Sequence, residues 1–170
     1  MAPETSSERT DLIEALGAHR GFLRRTADGL TDQQAAERST VSELCVGGLI
    51  KHVADVESRW TDFIEHGPAA MAISESFDME SYAAGFRMLP GETLASLLAH
   101  YQDVADRTDG LVRSLPSLDV SHPLPEAPWF EPGAHRSARR VFVHIIAETA
   151  QHAGHADIIR EALDGAKTMG

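Results

Sequence analysis

Apolar side chains recur at helical period in four long stretches of the chain, and each stretch is bounded by capping or breaking residues. In the first, Leu12, Ile13, Leu16, Phe22 and Leu23 follow Thr5 and Glu8 at capping-box spacing. A helix to about Asp28 is predicted, stopped by Gly29. Thr31 and Gln34 form a second box, enough to open one or two turns. Thr40 and Glu43 repeat the spacing ahead of Leu44, Leu49, Ile50, Val53, Val56, Trp60, Phe63 and Ile64. The second long helix therefore starts near 42 or 46 and ends about 66, before Gly67-Pro68. Gly47-Gly48 lowers helix propensity near its start, which points to a close helix approach or to the later of those starts.

Residues 67 to 90 have weak periodicity and read as loop with room for a short helix. After Gly91 and Glu92, a third amphipathic pattern runs from Leu94 through Leu97, Leu98, Tyr101, Val104, Ala105, Leu111, Val112 and Leu115. It ends before Pro116. Five of the eight prolines, Pro116, Pro123, Pro125, Pro128 and Pro132, crowd the connection that follows. Its length exceeds that of an ordinary loop between bundle helices, so it is expected to be a crossover or to cover a site. From Ser137 to Asp164, Val141, Phe142, Ile145, Ile146, Ile158, Ile159 and Leu163 make the fourth helix, with Gly165 as the residue just past its end. No strand is expected. The pattern predicts an all-α four-helix bundle, a single domain over residues 1–170, with a long proline-rich connection before the last helix.

Composition narrows the functional classes. The net charge of −11 disfavours nucleic acid and anionic membranes as partners. The 42% apolar content is enough for a buried core. Met1 to Ser7 is polar with no apolar run behind it, and no stretch approaches the roughly 20 apolar residues of a membrane span. A cytoplasmic protein is expected. Cys45 is the single cysteine, so a metal would have to be held by nitrogen and oxygen ligands.

Nine histidines are then the unusual feature. At 100° per residue, His144, Glu148, His152 and His155 fall within about 80° of one another, on the stripe that also holds Val141, Ile145 and Ile159. Glu148 and His152 lie four apart, so their side chains can meet at one point. His52 shares the apolar stripe of Cys45, Leu49, Val56 and Phe63. A carboxylate and imidazoles pointing inward cost several kcal/mol unless paired or ligated. Either a His–Glu–His hydrogen-bond network or a bound divalent ion offsets that cost. His₂Glu is a donor set of catalytic zinc, and nickel, iron and manganese are also compatible with it. His19, His66, His100, His122 and His135 read as surface or satisfied residues. Cys45 reads as a small buried residue, and Asp157, Arg160 and Glu161 as a solvated or interface face.

The segments Gly47 to Glu57 and His144 to Glu161, the second containing His144-Ile145-Ile146-Ala147-Glu148-Thr149-Ala150-Gln151-His152-Ala153-Gly154-His155, resemble the DinB-like superfamily of metal-binding four-helix bundles. Within it the chain resembles the actinobacterial branch close to mycothiol S-transferases. The resemblance implies His52, Glu148 and His152 as ligands of a divalent ion, zinc foremost, and mycothiol as cosubstrate. Many relatives carry His in place of Glu148, while mycothiol-dependent maleylpyruvate isomerases carry Glu; their additional C-terminal domain has no counterpart in these 170 residues, so isomerase activity is not expected. Arg140 stands where close relatives have an aromatic residue, and Ala138 where they have Leu. His155 belongs to the branch signature. It is ranked ahead of His144 to orient a ligand or take the released proton. The expected function is a metal-dependent transferase joining a small thiol to a small electrophile, with metal-dependent hydrolysis and a non-catalytic, stress-associated binding bundle as alternatives. The resemblance also implies a homodimer through helix faces.

Overall fold

In the computed structural model, residues 7–71 and 78–168 are described. Among them six α-helices form: α1 (Ser7–Arg25), α2 (Asp32–Ala36), α3 (Val46–His66), α4 (Met79–Ala84), α5 (Leu94–Ser114) and α6 (Ala138–Asp164). Thr5, and with it the first capping box, lies outside the described residues. The Thr31 box forms as expected, with Gln34 closing it and opening the five-residue α2. The third box does not form. Thr40 and Ser42 make local turns, and Glu43 pairs with Arg38. The cap of α3 is instead Cys45, whose Sγ accepts the Gly48 amide at 3.4 Å, and the helix takes the later of its two expected starts.

Gly47-Gly48 explains itself through what lies above it. A Cβ on Gly48 would stand 1.9 Å from the Phe86 carbonyl oxygen, and one on Gly47 would stand 2.2 Å from the Met88 sulfur. The glycines thus admit the segment after α4, and Gly47 also lets α2 approach, its added Cβ standing 3.2 Å from the Ala35 carbonyl oxygen. Segment 67–90 contains a 3₁₀ turn (Gly67–Met71) as well as α4. α6 ends as expected at Gly165, whose φ of 81° suits a residue without a Cβ. The expectation of no strand is corrected. Ser121–Pro123 (β1) pairs antiparallel with His135–Ser137 (β2), each too short to show alternation in sequence.

Contacts across the bundle give its directions. Glu8 pairs with Arg139 at the beginnings of α1 and α6, while Arg160 donates to the Thr26 and Asp28 carbonyls beyond the end of α1. Those helices are parallel. Lys51 reaches Glu92 near the starts of α3 and α5, and Arg107 holds Asp62 and Glu65 near their ends. They too are parallel. His52 meets His152 and Trp60 meets His144, so α3 and α6 are antiparallel. The ring order is α1, α6, α3, α5. The crossover is therefore the 67–93 connection between parallel helices, and the proline-rich connection is not one.

Two apolar clusters fill the bundle, one around Leu23, Ile50, Tyr101 and Ile159, the other around Leu16, Phe63, Val112 and Phe142. Between them Arg20 reaches Glu57 bidentately, at 2.5 and 3.2 Å, and Asp109 at 2.8 Å. Glu57 is fully buried. Burial lowers the Arg20 pKa, but the two carboxylates outweigh it and leave the guanidinium above its ordinary value. One charged group thus ties α1, α3 and α5 together. No helix among the described residues is long and apolar enough to cross a membrane.

Candidate metal centre

His52 from α3 and Glu148 and His152 from α6 place one donor atom each within 4.8 Å of one another. The apolar stripe of α3 turns His52 toward α6, and the i, i+4 spacing turns Glu148 and His152 to the same level of α3. His152 Nε2 stands 3.5 Å from Glu148 Oε2, and the rings of His52 and His152 meet edge to face at 4.9 Å. Donors about 2.1 Å from one ion at tetrahedral angles stand about 3.4 Å apart, so this spacing fits an ion better than the 2.7–3.2 Å of ordinary hydrogen bonds.

The imidazoles are neutral at pH 7. Burial, then the charges of His152 and Arg59, lower the His52 pKa to about 4. Burial also lowers His152 and His144, outweighing the pull of Glu148. Neutral rings keep the lone pairs that a metal needs. The donor set of two nitrogens and one carboxylate leaves a coordination position open, so the residues present fit a divalent ion.

Phe86 stacks on His52 with ring centroids 4.0 Å apart and fixes its plane, while Tyr82 packs edge-on against Phe86. Sequence reasoning missed Phe86, which sits in the weakly periodic segment. The glycine pair beneath it was the available signal. His155 lies outside the three-donor group, with its Nδ1 3.4 Å from the far nitrogen, Nδ1, of His152. His144 Nε2 faces the other carboxylate oxygen of Glu148 at 3.7 Å, and its ring packs on Trp60. The expected enclosed position is corrected. Side chains of His144 and Glu148 are each 30% exposed and that of His152 13%, which puts the group in a groove between α3 and α6. Helical phase gives the direction of a side chain but not its depth.

A family model of mycothiol S-transferases matches residues 11–165, a span that takes in every one of these donors. The chain belongs to the mycothiol S-transferase family, within the DinB-like bundles. A solved structure, described as the conserved protein of locus from Enterococcus faecalis, superposes with a TM-score of 0.71 at 15% identity. The match covers 92% of this chain and 97% of that one, and it shows the shared fold. No curated protein matches the chain.

Other sequence expectations sort themselves around this donor group. Cys45 is buried and caps α3. His122 is a satisfied residue, as expected: its Nε2 lies 3.0 Å from the Ile64 carbonyl and its ring packs on Phe63, pinning the proline-rich connection to the end of α3. Arg160 and Asp157 are not a free face, because Arg160 holds the end of α1 and Asp157 accepts the Thr168 amide. A second group, Asp62, Glu65 and His66, also comes within donor distance, but Arg107 already holds both carboxylates.

Proposed function

We propose that this protein transfers a low-molecular-weight thiol, mycothiol, to a small electrophile at a divalent ion held by His52, Glu148 and His152, with zinc foremost. The convergence of two neutral imidazoles and a carboxylate in a groove, in a chain of this family, carries the reading. When bound, the ion supplies the Lewis acidity that lowers the pKa of a thiol from about 8.5 and so provides thiolate at neutral pH.

The chain's own residues prepare that chemistry. Phe86 holds the plane of His52. If His152 presents Nε2 to the ion, its Nδ1–H donates to His155, so His155 is a positioning residue that selects the tautomer. His144, neutral and beside Glu148 Oε1, is placed to receive the thiol proton. As the sulfur–carbon bond forms, that proton passes to the adduct in an addition, or departs with the leaving group in a displacement.

Metal analysis of untagged protein, paired with mycothiol conjugation to monochlorobimane, tests the reading. Wild type is expected to bind one ion per chain and to turn over only with thiol. His52→Ala and His152→Ala should lose ion and turnover together while keeping helical content. Equal metal in wild type and His152→Ala would overturn the site. Turnover without thiol would assign hydrolysis instead, and stoichiometric metal with no turnover would leave a binding bundle.

A further inference from the structure

The chain carries a large negative charge, yet its arginines are distributed unevenly with respect to partners. Among the described residues, every arginine but three contacts a carboxylate, a backbone carbonyl or an aromatic ring. The exceptions are Arg59, Arg136 and Arg140. None of the three side chains makes a direct polar contact, Arg59 acting on the Asp55 carboxylate only through space, and all three lie by the same groove. Arg59 is within electrostatic reach of His52, and Arg136 and Arg140 are within reach of His144.

Position along the helices explains the grouping. On α6, Arg140, His144, Glu148 and His152 form one i, i+4 row leading from the start of the helix to the donor group. On α3, Arg59 lies seven residues beyond His52, close to the same face, and next to Trp60, whose ring packs on His144. Because α3 and α6 are antiparallel, both arginines lie toward the same end of the groove. Arg140 occupies the first turn of α6, where the helix dipole disfavours a cation and no acidic residue compensates it. A fold would not accumulate such charge for stability.

Arg59 also lines a cavity of about 390 Å³ between α3 and the proline-rich connection. Its other walls are Met71, Pro125, Ala127, Trp129 and Phe130, with Glu126 as the one carboxylate. The volume lies at the small end of small-molecule sites, and the walls suit an apolar body. Glu126 repels an anion from that wall and leaves the arginines as its counterpart.

We propose that the thiol acceptor is an anion, an apolar electrophile bearing a carboxylate or sulfonate that Arg59 and Arg140 hold at the mouth of the groove. Its apolar body occupies the cavity shared with Arg59. This substrate class rests on the thiol-transfer reading, but the binding site itself is tested without thiol. Metal-loaded protein is titrated with 4-nitrobenzenesulfonate and with the neutral 4-nitrophenyl methyl sulfone, followed by quenching of Trp60 and Trp129. The sulfonate should bind about tenfold more tightly, as charge-assisted contacts require. Arg59→Gln and Arg140→Gln should each weaken the sulfonate and together abolish the preference, with metal content and sulfone affinity unchanged. Both side chains are exposed, and circular dichroism of each variant checks that its helices are kept. A sulfonate that does not outbind the sulfone, or a preference that survives the double variant, overturns the proposal. The two readings separate cleanly. Sulfonate binding without thiol conjugation defeats the transferase and leaves the anion site, whereas conjugation that ignores acceptor charge defeats the anion site alone.

Discussion

At the scale of single residues, the donor group couples protonation to stability. His52 is held near 4 by burial and by the neighbouring charges of His152 and Arg59, against about 6.5 in the unfolded chain. Between those values the unfolded state binds the extra proton, so stability rises with pH. Metal-free protein should therefore lose stability as the pH falls from about 6.5 toward 4, with His144 and His152 acting in the same direction. Urea midpoints in the presence of a chelator check this, and His52→Gln should flatten the profile; an unchanged profile would contradict the assignment. His52, Glu148 and His152 were legible in sequence because each interrupts an apolar stripe. By the same criterion Arg20, four residues after Leu16, and Glu57, three before Trp60, could have been found. They escaped notice because each partner lies on another helix, and one charge on a stripe does not name its mate.

At the scale of elements, the notch above the start of α3 is the most constrained feature. Gly48→Ala forces the Phe86 carbonyl to move, an overpacking expected to cost about 1–3 kcal/mol, and it should loosen the stack on His52 and weaken metal binding. Gly154 on α6 has nothing within 4 Å of an added Cβ, so Gly154→Ala should stabilise by about 0.5–1 kcal/mol. Thermal denaturation and metal titration of both variants compare the sites, and equal effects would remove the notch argument. Four long helices and their ends could be read from period and caps, since both are local properties. The short strands, the Cys45 cap and α4 could not, because tertiary contacts select among local options that the sequence leaves nearly equal. The Thr40 box shows this best: its spacing is right, yet Glu43 is taken by Arg38.

At the scale of the whole molecule, the family and the bundle were readable, whereas the directions of the helices were not. Parallel pairing of α1 with α6 and of α3 with α5 follows from contacts between residues tens of positions apart, such as Lys51 with Glu92 and Arg139 with Glu8. The proline content drew attention to the wrong connection as a crossover. The connection that does cross, 67–93, joins two helices that begin at the same end of the bundle.

That crossover also divides the proposed metal chemistry. His52 precedes it, and Glu148 and His152 follow it, so each half of the chain carries an incomplete set of the proposed ligands. If the chain is cut within the connection and the halves are expressed together, neither fragment alone should retain the ion, and the pair should regain it on docking α3 against α5 and α6. Metal retention would then report fragment complementation, and a divalent ion would become the signal that holds a split protein together.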